Sequence, residues 1–109
     1  MKTGEIILIP FPFAELTNKK VRPAIVVCET RDFYKDLVIC AISSVVPKNL
    51  TENEMLLKKD STNNLRVNSV AKIDRIVTAK RSDVIAVLGK LSEMDLESFK
   101  KKFIKLIDS

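Results

Sequence analysis

The chain has 109 residues, 46% of them hydrophobic and 30% charged, a balance typical of one globular domain and not of a disordered tail. We therefore expect a single domain over residues 1–109. The longest uncharged apolar run is about eight residues, too short to cross a bilayer, and the opening MKTGEIILIPFPF does not have the pattern of a signal peptide. A formal net charge of +5 favours acidic partners without identifying one.

Most of the chain predicts short strands. Six segments rich in apolar, β-branched or aromatic residues are the candidates: 5–13, 24–29, 37–44, 55–58, 69–73 and 84–88. Pro10 and Pro12 confine the far end of the first strand to a sheet edge or a turn. The polar segment 14–20 predicts an exposed loop, and 60–64 (DSTNN) a loop or one helical turn.

The last part of the chain changes its period and predicts a helix over residues 93–107. Ser92 followed by Asp95 resembles a capping box. Apolar residues then recur at intervals of three or four, and these are Leu96, Phe99, Phe103, Leu106 and Ile107. The fold class is therefore α+β and mostly β, a small barrel or curled sheet of mainly antiparallel strands with a C-terminal helix lying against it.

The two cysteines, Cys28 and Cys40, each lie inside an apolar run. A disulfide framework would have more cysteines in loops, and a zinc site would have closer spacing and histidine. The chain contains no histidine. We expect both cysteines to be small buried hydrophobic residues, and the protein to be cytoplasmic and free of metal and other cofactors.

The sequence has few of the usual catalytic residues. Histidine, the commonest proton shuttle, is missing, and glycine occurs only at positions 4 and 89, so a glycine-rich phosphate loop is excluded. RNA cleavage suits such a chain, because the 2′-hydroxyl beside the scissile phosphate supplies an intramolecular nucleophile. The protein must then orient the phosphate and stabilise its charge, for which a guanidinium group offers a planar fork of donors.

Four blocks of the sequence, in order, resemble the MazF/PemK family of toxin ribonucleases. They are FPFAEL (11–16) with KVRPAIVV (20–27), ICAISS (39–44), SVAKIDRIVT (69–78), and GKLS (89–92) with the final helix. The start at Gly4-Glu5 is also similar to the family's opening. The resemblance covers nearly the whole chain, from Gly4 to about Ile107.

The resemblance implies an SH3-like barrel, a homodimer and metal-independent, sequence-selective cleavage of single-stranded RNA such as mRNA. It also implies neutralisation by a cognate antitoxin, which should be acidic. Arg22 matches the family's catalytic arginine, Ser43 falls where the catalytic threonine usually stands, and Asp74 matches an acidic residue implicated in some members. Further RNA contacts are expected at six positions, which are Glu15, Lys19, Lys20, Ser44, Lys72 and Arg75.

Structural interpretations of the same residues stay open at this point. Arg22 before Pro23 also suits a turn residue entering a strand, and Ser43 also suits a hydroxyl that binds nearby backbone. Asp74 and Arg75 also suit a surface ion pair. Two departures from the family pattern bear on activity: serine at 43 lacks the methyl that stiffens threonine, and lysine at 72 replaces the arginine fork by a point charge.

Three functions are compatible with these observations. The first is an endoribonuclease in which Arg22 clamps the phosphate. The second is a non-catalytic toxin of the CcdB type, which shares the barrel and binds gyrase through its C-terminal end. The third is an RNA-binding relic of the family that no longer cuts. The blocks around Arg22 and Ser43 favour the first.

Overall fold

The computed structural model describes residues 1–12 and 19–108. Its elements in chain order are β1 (Glu5–Pro12), β2 (Lys19–Glu29), β3 (Leu37–Ser43), β4 (Glu54–Leu57), β5 (Ser69–Ala79), a 3-10 turn (Arg81–Asp83), β6 (Ala86–Lys90) and α1 (Glu93–Ile107). The strands form one curled sheet in the order β4-β5-β3-β2-β1-β6, and every neighbouring pair is antiparallel. This half-barrel of antiparallel strands with a C-terminal helix confirms the predicted fold class.

Both faces of the central strands are buried, as their uninterrupted apolar sequences predict. On one face, Ile6, Ile25 and Cys40 join a core that packs under α1 through Phe99. Their chain neighbours turn to the opposite face, because successive side chains in a strand alternate. A second core forms there around Ile7, Ile9, Phe11, Ala24, Val26, Leu37 and Ile39.

Helix α1 has the bounds that the sequence predicts. The Ser92 hydroxyl oxygen accepts a hydrogen bond from the Asp95 backbone N–H at 3.2 Å, which is the predicted N-cap. Phe99 is 1% exposed and anchors the helix to the sheet. The spacing places Ile107 on the apolar face of the helix, and this is wrong: Ile107 is the last residue of the helix and its side chain is 80% exposed.

The prolines of β1 lie where the sequence predicts an edge. Strand β6 pairs with β1 only from Glu5 to Leu8, so Pro10 and Pro12 pass beyond the end of β6. Because proline lacks the N–H that a second neighbouring strand would need, both are accommodated without losing a ladder bond.

The predicted end of the fifth strand is wrong. Strand β5 does not stop at Ile73 but runs on to Ala79. In its ladder with β3, Ala41 lies opposite Lys72 while Cys40 lies opposite Ile76. Residues 73–75 therefore form an unpaired bulge, and the two charged residues in it, Asp74 and Arg75, resemble a strand end in the sequence.

The prediction that both cysteines are buried is also wrong for one of them. Cys40 is buried, whereas Cys28 is exposed. Register shifts between Val26 and Cys28, so that Val26 lies opposite Ile39 but Cys28 lies opposite Val38. An unbroken register would have placed Cys28 opposite the buried Leu37, and this one-residue shift moves it to the other face.

No helix within 1–12 and 19–108 combines the length and the apolar character that crossing a bilayer requires.

Candidate active site

A cavity of about 340 Å³ opens beside β2, β3 and β5. Six polar residues line it: Arg22, Ser43, Ser44, Lys72, Asp74 and Arg75. The remaining wall is apolar, formed by Phe11, Ala41, Ile42, Val45, Ile76 and Val77. The structure thus gathers in one cavity the three residues predicted to be catalytic and three of the six predicted to contact RNA.

The antiparallel register of β2 and β3 brings Arg22 and Ser43 to the same place. Ala24 lies opposite Ala41 in the last pair of the ladder, and Arg22 and Ser43 follow two residues beyond that pair on their own strands. Residues separated by two along a strand share a face. On its other side, β2 is held by β1, where Ile9 lies opposite Arg22. A guanidinium and a hydroxyl distant in sequence therefore face one space.

The Ser43 hydroxyl is oriented by local backbone. Its oxygen accepts a hydrogen bond from the Val45 N–H at 3.1 Å. The structural interpretation of Ser43, as a hydroxyl that binds nearby backbone, is therefore confirmed for this contact. A hydroxyl has one donor besides its acceptor lone pairs, so this bond leaves the O–H free to donate to a phosphate oxygen.

Asp74 and Arg75 reach the cavity from the β5 bulge. Bulges commonly occur beside active sites because they redirect a side chain without ending the strand. Both residues are exposed and both line the cavity. Within the described ranges they form no ion pair with each other, which removes the alternative interpretation of this dipeptide.

Lys72 is held by a residue that was not predicted. Its ammonium group lies 3.3 Å from the Glu54 carboxylate on β4, and Glu54 is its direct neighbour in the β4–β5 ladder. The Thr51 N–H donates to the other carboxylate oxygen at 2.8 Å. Hydrogen bonds from Thr51 lower the pKa of Glu54, and the contact with Lys72 lowers it further. Together they outweigh burial, which raises the pKa, so that it lies below its ordinary value.

Three predicted RNA contacts are not among the residues described as lining the cavity, and these are Glu15, Lys19 and Lys20. Glu15 falls outside the described residues, as does Phe13, and of Lys19 only its place at the start of β2 is described. Lys20 is exposed on β2 but is not part of the cavity wall. Phe11 is 5% exposed and belongs to the second core, and it also contributes to the cavity wall.

The cavity suits an anion of the size of a phosphodiester. Arg22, Lys72 and Arg75 bring three cations to its wall, against the carboxylate of Asp74 on the wall and that of Glu54, which pairs with Lys72. Guanidinium groups bind phosphate oxygens through paired N–H donors. In the described part of the chain, no cluster of three or more histidine, cysteine or acidic residues is placed to hold a metal ion.

The protein is a curled antiparallel sheet backed by a C-terminal helix. The cationic cavity beside its central strands places it in the class of small half-barrel proteins with a site suited to an anionic substrate. Residues 2–107 match the family described as PemK-like, MazF-like toxin of type II toxin–antitoxin system. The chain belongs to this family. It is therefore the toxin component of such a system and an endoribonuclease, and the gyrase-binding alternative is not favoured.

Solved structures show the same fold. An endoribonuclease in complex with its cognate antitoxin, from a mycobacterial species, superposes with a TM-score of 0.74 at 11% identity, covering 99% of this chain and 95% of that one. The Mycobacterium tuberculosis toxin MazF-mt6 superposes with a TM-score of 0.68 at 17% identity, covering 94% and 96%. Among curated proteins, none matches the sequence.

Proposed function

We propose that this toxin cleaves single-stranded RNA at short sequence motifs in the cavity lined by Arg22, Ser43 and Asp74, without a metal ion. The observation that supports this proposal is that Arg22 and Ser43, which are distant in sequence, line the same cavity. RNA needs little more than orientation and charge stabilisation, because its own 2′-hydroxyl is the nucleophile.

In the proposed step, the 2′-oxygen attacks the adjacent phosphorus while the bond from phosphorus to the 5′-oxygen breaks. The 2′-hydroxyl loses its proton and the departing 5′-oxygen gains one, so that the products are a 2′,3′-cyclic phosphate and a 5′-hydroxyl. Arg22 clamps the non-bridging oxygens and stabilises the negative charge of the transition state. It is not the base, because arginine stays protonated in proteins.

Ser43 and Asp74 have the remaining roles in this proposal. The Ser43 O–H donates to a phosphate oxygen or orients the attacking hydroxyl, since its oxygen is already fixed by Val45. Asp74, carried by the bulge at the cavity wall, or a group of the RNA itself, relays the proton. Lys20, Ser44, Lys72 and Arg75 supply further contacts to the RNA strand, together with Glu15 and Lys19.

The biological setting is proposed on the family and on charge. The toxin acts in the cytoplasm as a homodimer of one domain, residues 1–109, and a cognate acidic antitoxin neutralises it. One of the structural relatives is an endoribonuclease bound to its cognate antitoxin. A net charge of +5 here suits an acidic partner whose tail folds over the cationic cavity.

The test is cleavage of a mixed single-stranded RNA by purified protein in EDTA, with mapping of the fragment ends. We expect discrete fragments from the wild type and strongly reduced cutting by Arg22→Ala and Ser43→Ala. Arg66→Ala and Ser61→Ala are the matched controls, because both residues are exposed and lie outside the cavity wall. Absence of fragments from the wild type, or normal cutting by both cavity variants, would refute the proposal; binding without cutting would indicate the RNA-binding relic.

A further inference from the structure

Glu54 is a buried carboxylate beside the cavity. Among the residues that the structure describes, it is the one charged residue in the buried class, and its side chain is 9% exposed. A charge removed from water is costly unless it is paired and hydrogen-bonded. Both Glu54 oxygens are used, one by the Thr51 N–H at 2.8 Å and one by Lys72 at 3.3 Å.

The carboxylate is itself fixed by backbone. The Glu54 N–H donates to the Thr51 carbonyl oxygen at 3.1 Å, which closes the turn that leads into β4. On the other side, Glu54 is the ladder partner of Lys72. A lysine side chain on its own is a flexible point charge. Here its ammonium group is tethered to a fixed position on the cavity wall.

Lys72 and Glu54 together carry little net charge, but Lys72 still presents hydrogen-bond donors to the cavity. An ammonium group has three N–H donors, and Glu54 takes one of them. Lys72 is 31% exposed and lines the cavity, so its other donors are accessible to a ligand there. Arg22 and Arg75 on the same wall carry guanidinium groups, whose planar fork of donors matches phosphate oxygens better than an ammonium group does.

Nucleobases differ in whether they accept such donors. Guanine presents O6 and N7 as acceptors, and uracil presents O4, whereas cytosine and adenine present an amino group at the equivalent position. An ammonium N–H pointing at an amino N–H finds no acceptor and meets a dipole of the same sign. A fixed lysine that faces this position therefore distinguishes guanine and uracil, which have a carbonyl oxygen there, from adenine and cytosine, which have an amino group there.

We infer that Lys72, held by Glu54, is a specificity-determining residue that hydrogen-bonds the carbonyl-bearing edge of a nucleobase near the scissile phosphate. Guanine or uracil is then favoured over adenine or cytosine at that position. Glu54 is a positioning residue, acting only through Lys72. The inference rests on the proposed function for the location of the RNA, and its test is designed to separate the two.

The first measurement is binding of uncleavable oligonucleotides, deoxyuridine against deoxycytidine strands of equal length, which lack the 2′-hydroxyl. The wild type should bind the uridine strand about tenfold more tightly. Lys72→Met, which keeps length but removes the donors, should bring that ratio close to one. Lys101→Met, an equal charge change on the exposed surface of α1, should leave the ratio as in the wild type.

The second measurement uses Glu54→Gln, which retains an acceptor for the Thr51 N–H and removes the charge. Lys72 then gains a full uncompensated charge and can reach phosphate. We expect the uridine preference to fall and the slope of log affinity against log salt to steepen by about 0.7, the value of one added phosphate contact on a single strand. A change of stability alone would move neither quantity.

The third measurement is end-mapping of cleaved RNA, in which Lys72→Met should relax the carbonyl-base preference at one position of the motif. Equal uridine and cytidine binding by the wild type, or an unchanged ratio in Lys72→Met, would overturn the inference even if cleavage requires Arg22. Base discrimination lost in Lys72→Met, with no cleavage by any form, would instead support this subsite and refute the proposed reaction.

Discussion

Arg22 and Ser43 each lie two residues beyond the Ala24–Ala41 pair, where the ladder of β2 and β3 ends, and both line the cavity. The geometry depends on backbone pairing in the middle of the sheet and not on a loop. Ile9 on β1 supports Arg22 from its other side. Since sites on rigid strands hold their side chains more precisely than sites on loops, substitutions at 22 and 43 should change chemistry more than folding.

Replacing the two groups should therefore have separable effects on cleavage. Arg22→Ala should lower kcat about 100- to 1000-fold, the loss that follows removal of one donor to a developing negative charge. Arg22→Lys should recover only part of this, because an ammonium group lacks the bidentate fork. Single-turnover cleavage of a defined RNA measures both, and wild-type rates in Arg22→Ala would contradict the clamp.

Ser43→Thr tests whether the missing methyl group matters. Threonine keeps the hydroxyl and restricts χ1, so a better oriented O–H should raise kcat by about threefold while Ser43→Ala lowers it. The comparison is made on the same RNA under the same conditions. Equal rates for the two would show that the Val45 contact already fixes the serine sufficiently, and slower cutting by the threonine variant would show that the added methyl group disturbs the site.

The two thiols should react at very different rates. Burial raises the pKa of the Cys40 thiol to about 12, with a smaller contribution from the negative charge of Asp74, so almost none of it is thiolate at neutral pH. Cys28 is exposed. Titration of the folded protein with a chromogenic disulfide should therefore show one accessible thiol, which Cys28→Ser removes.

Unfolding in denaturant should expose the second thiol, and this is the internal control for the count. Rapid reaction of both cysteines in the native protein would mean that Cys40 is not enclosed by the core as described.

Glu54 should contribute to acid sensitivity. Its folded pKa lies below its ordinary value, so the carboxylate stabilises the fold above the unfolded pKa, and this contribution is lost as the pH falls through the folded value. Between neutral pH and the ordinary value near 4.5, the difference in unfolding free energy between wild type and Glu54→Gln should stay constant. At lower pH the two should converge, as measured by urea unfolding across a pH series.

Gly89 should resist substitution because another segment lies against it. A Cβ at this position would overlap the Thr62 carbonyl oxygen and lie 3.0 Å from the Asn63 carbonyl carbon, both backbone atoms that cannot rotate away. Gly89→Ala should lower the free energy of unfolding by about 2 kcal/mol. Val87→Ala on the same strand, where the side chain is 54% exposed, should change it by less than about 0.5 kcal/mol.

Local sequence patterns predicted most of the strands and the helix, but not the register in which the strands pair. The helix bounds followed from Ser92 and from apolar spacing, and the buried strands followed from their uninterrupted apolar runs. Both are properties of neighbours in the chain. Register shifts depend instead on the partner strand. The extension of β5 to Ala79 and the exposure of Cys28 both result from such shifts, at bulges in the sheet.

The site could be predicted only where the family resemblance covered it. Arg22, Ser43 and Asp74 were named from that resemblance, and the structure places them in one cavity. The contact between Glu54 and Lys72 joins strands that are adjacent only in the folded sheet. Nothing in the sequence near position 54 indicates that its carboxylate is buried against a lysine.

The bulge in β5 separates the residues that pair with β3 from the residues whose side chains line the cavity. Because residues 73–75 make no ladder pairs with β3, the side chain of Arg75 can be exchanged without shifting the strands on either side. In the proposed reaction, exchange of Arg75 should therefore change the contact with RNA while the scaffold that holds Arg22 stays intact. A short unpaired segment thus allows a side chain of the cavity wall to vary at little cost to folding.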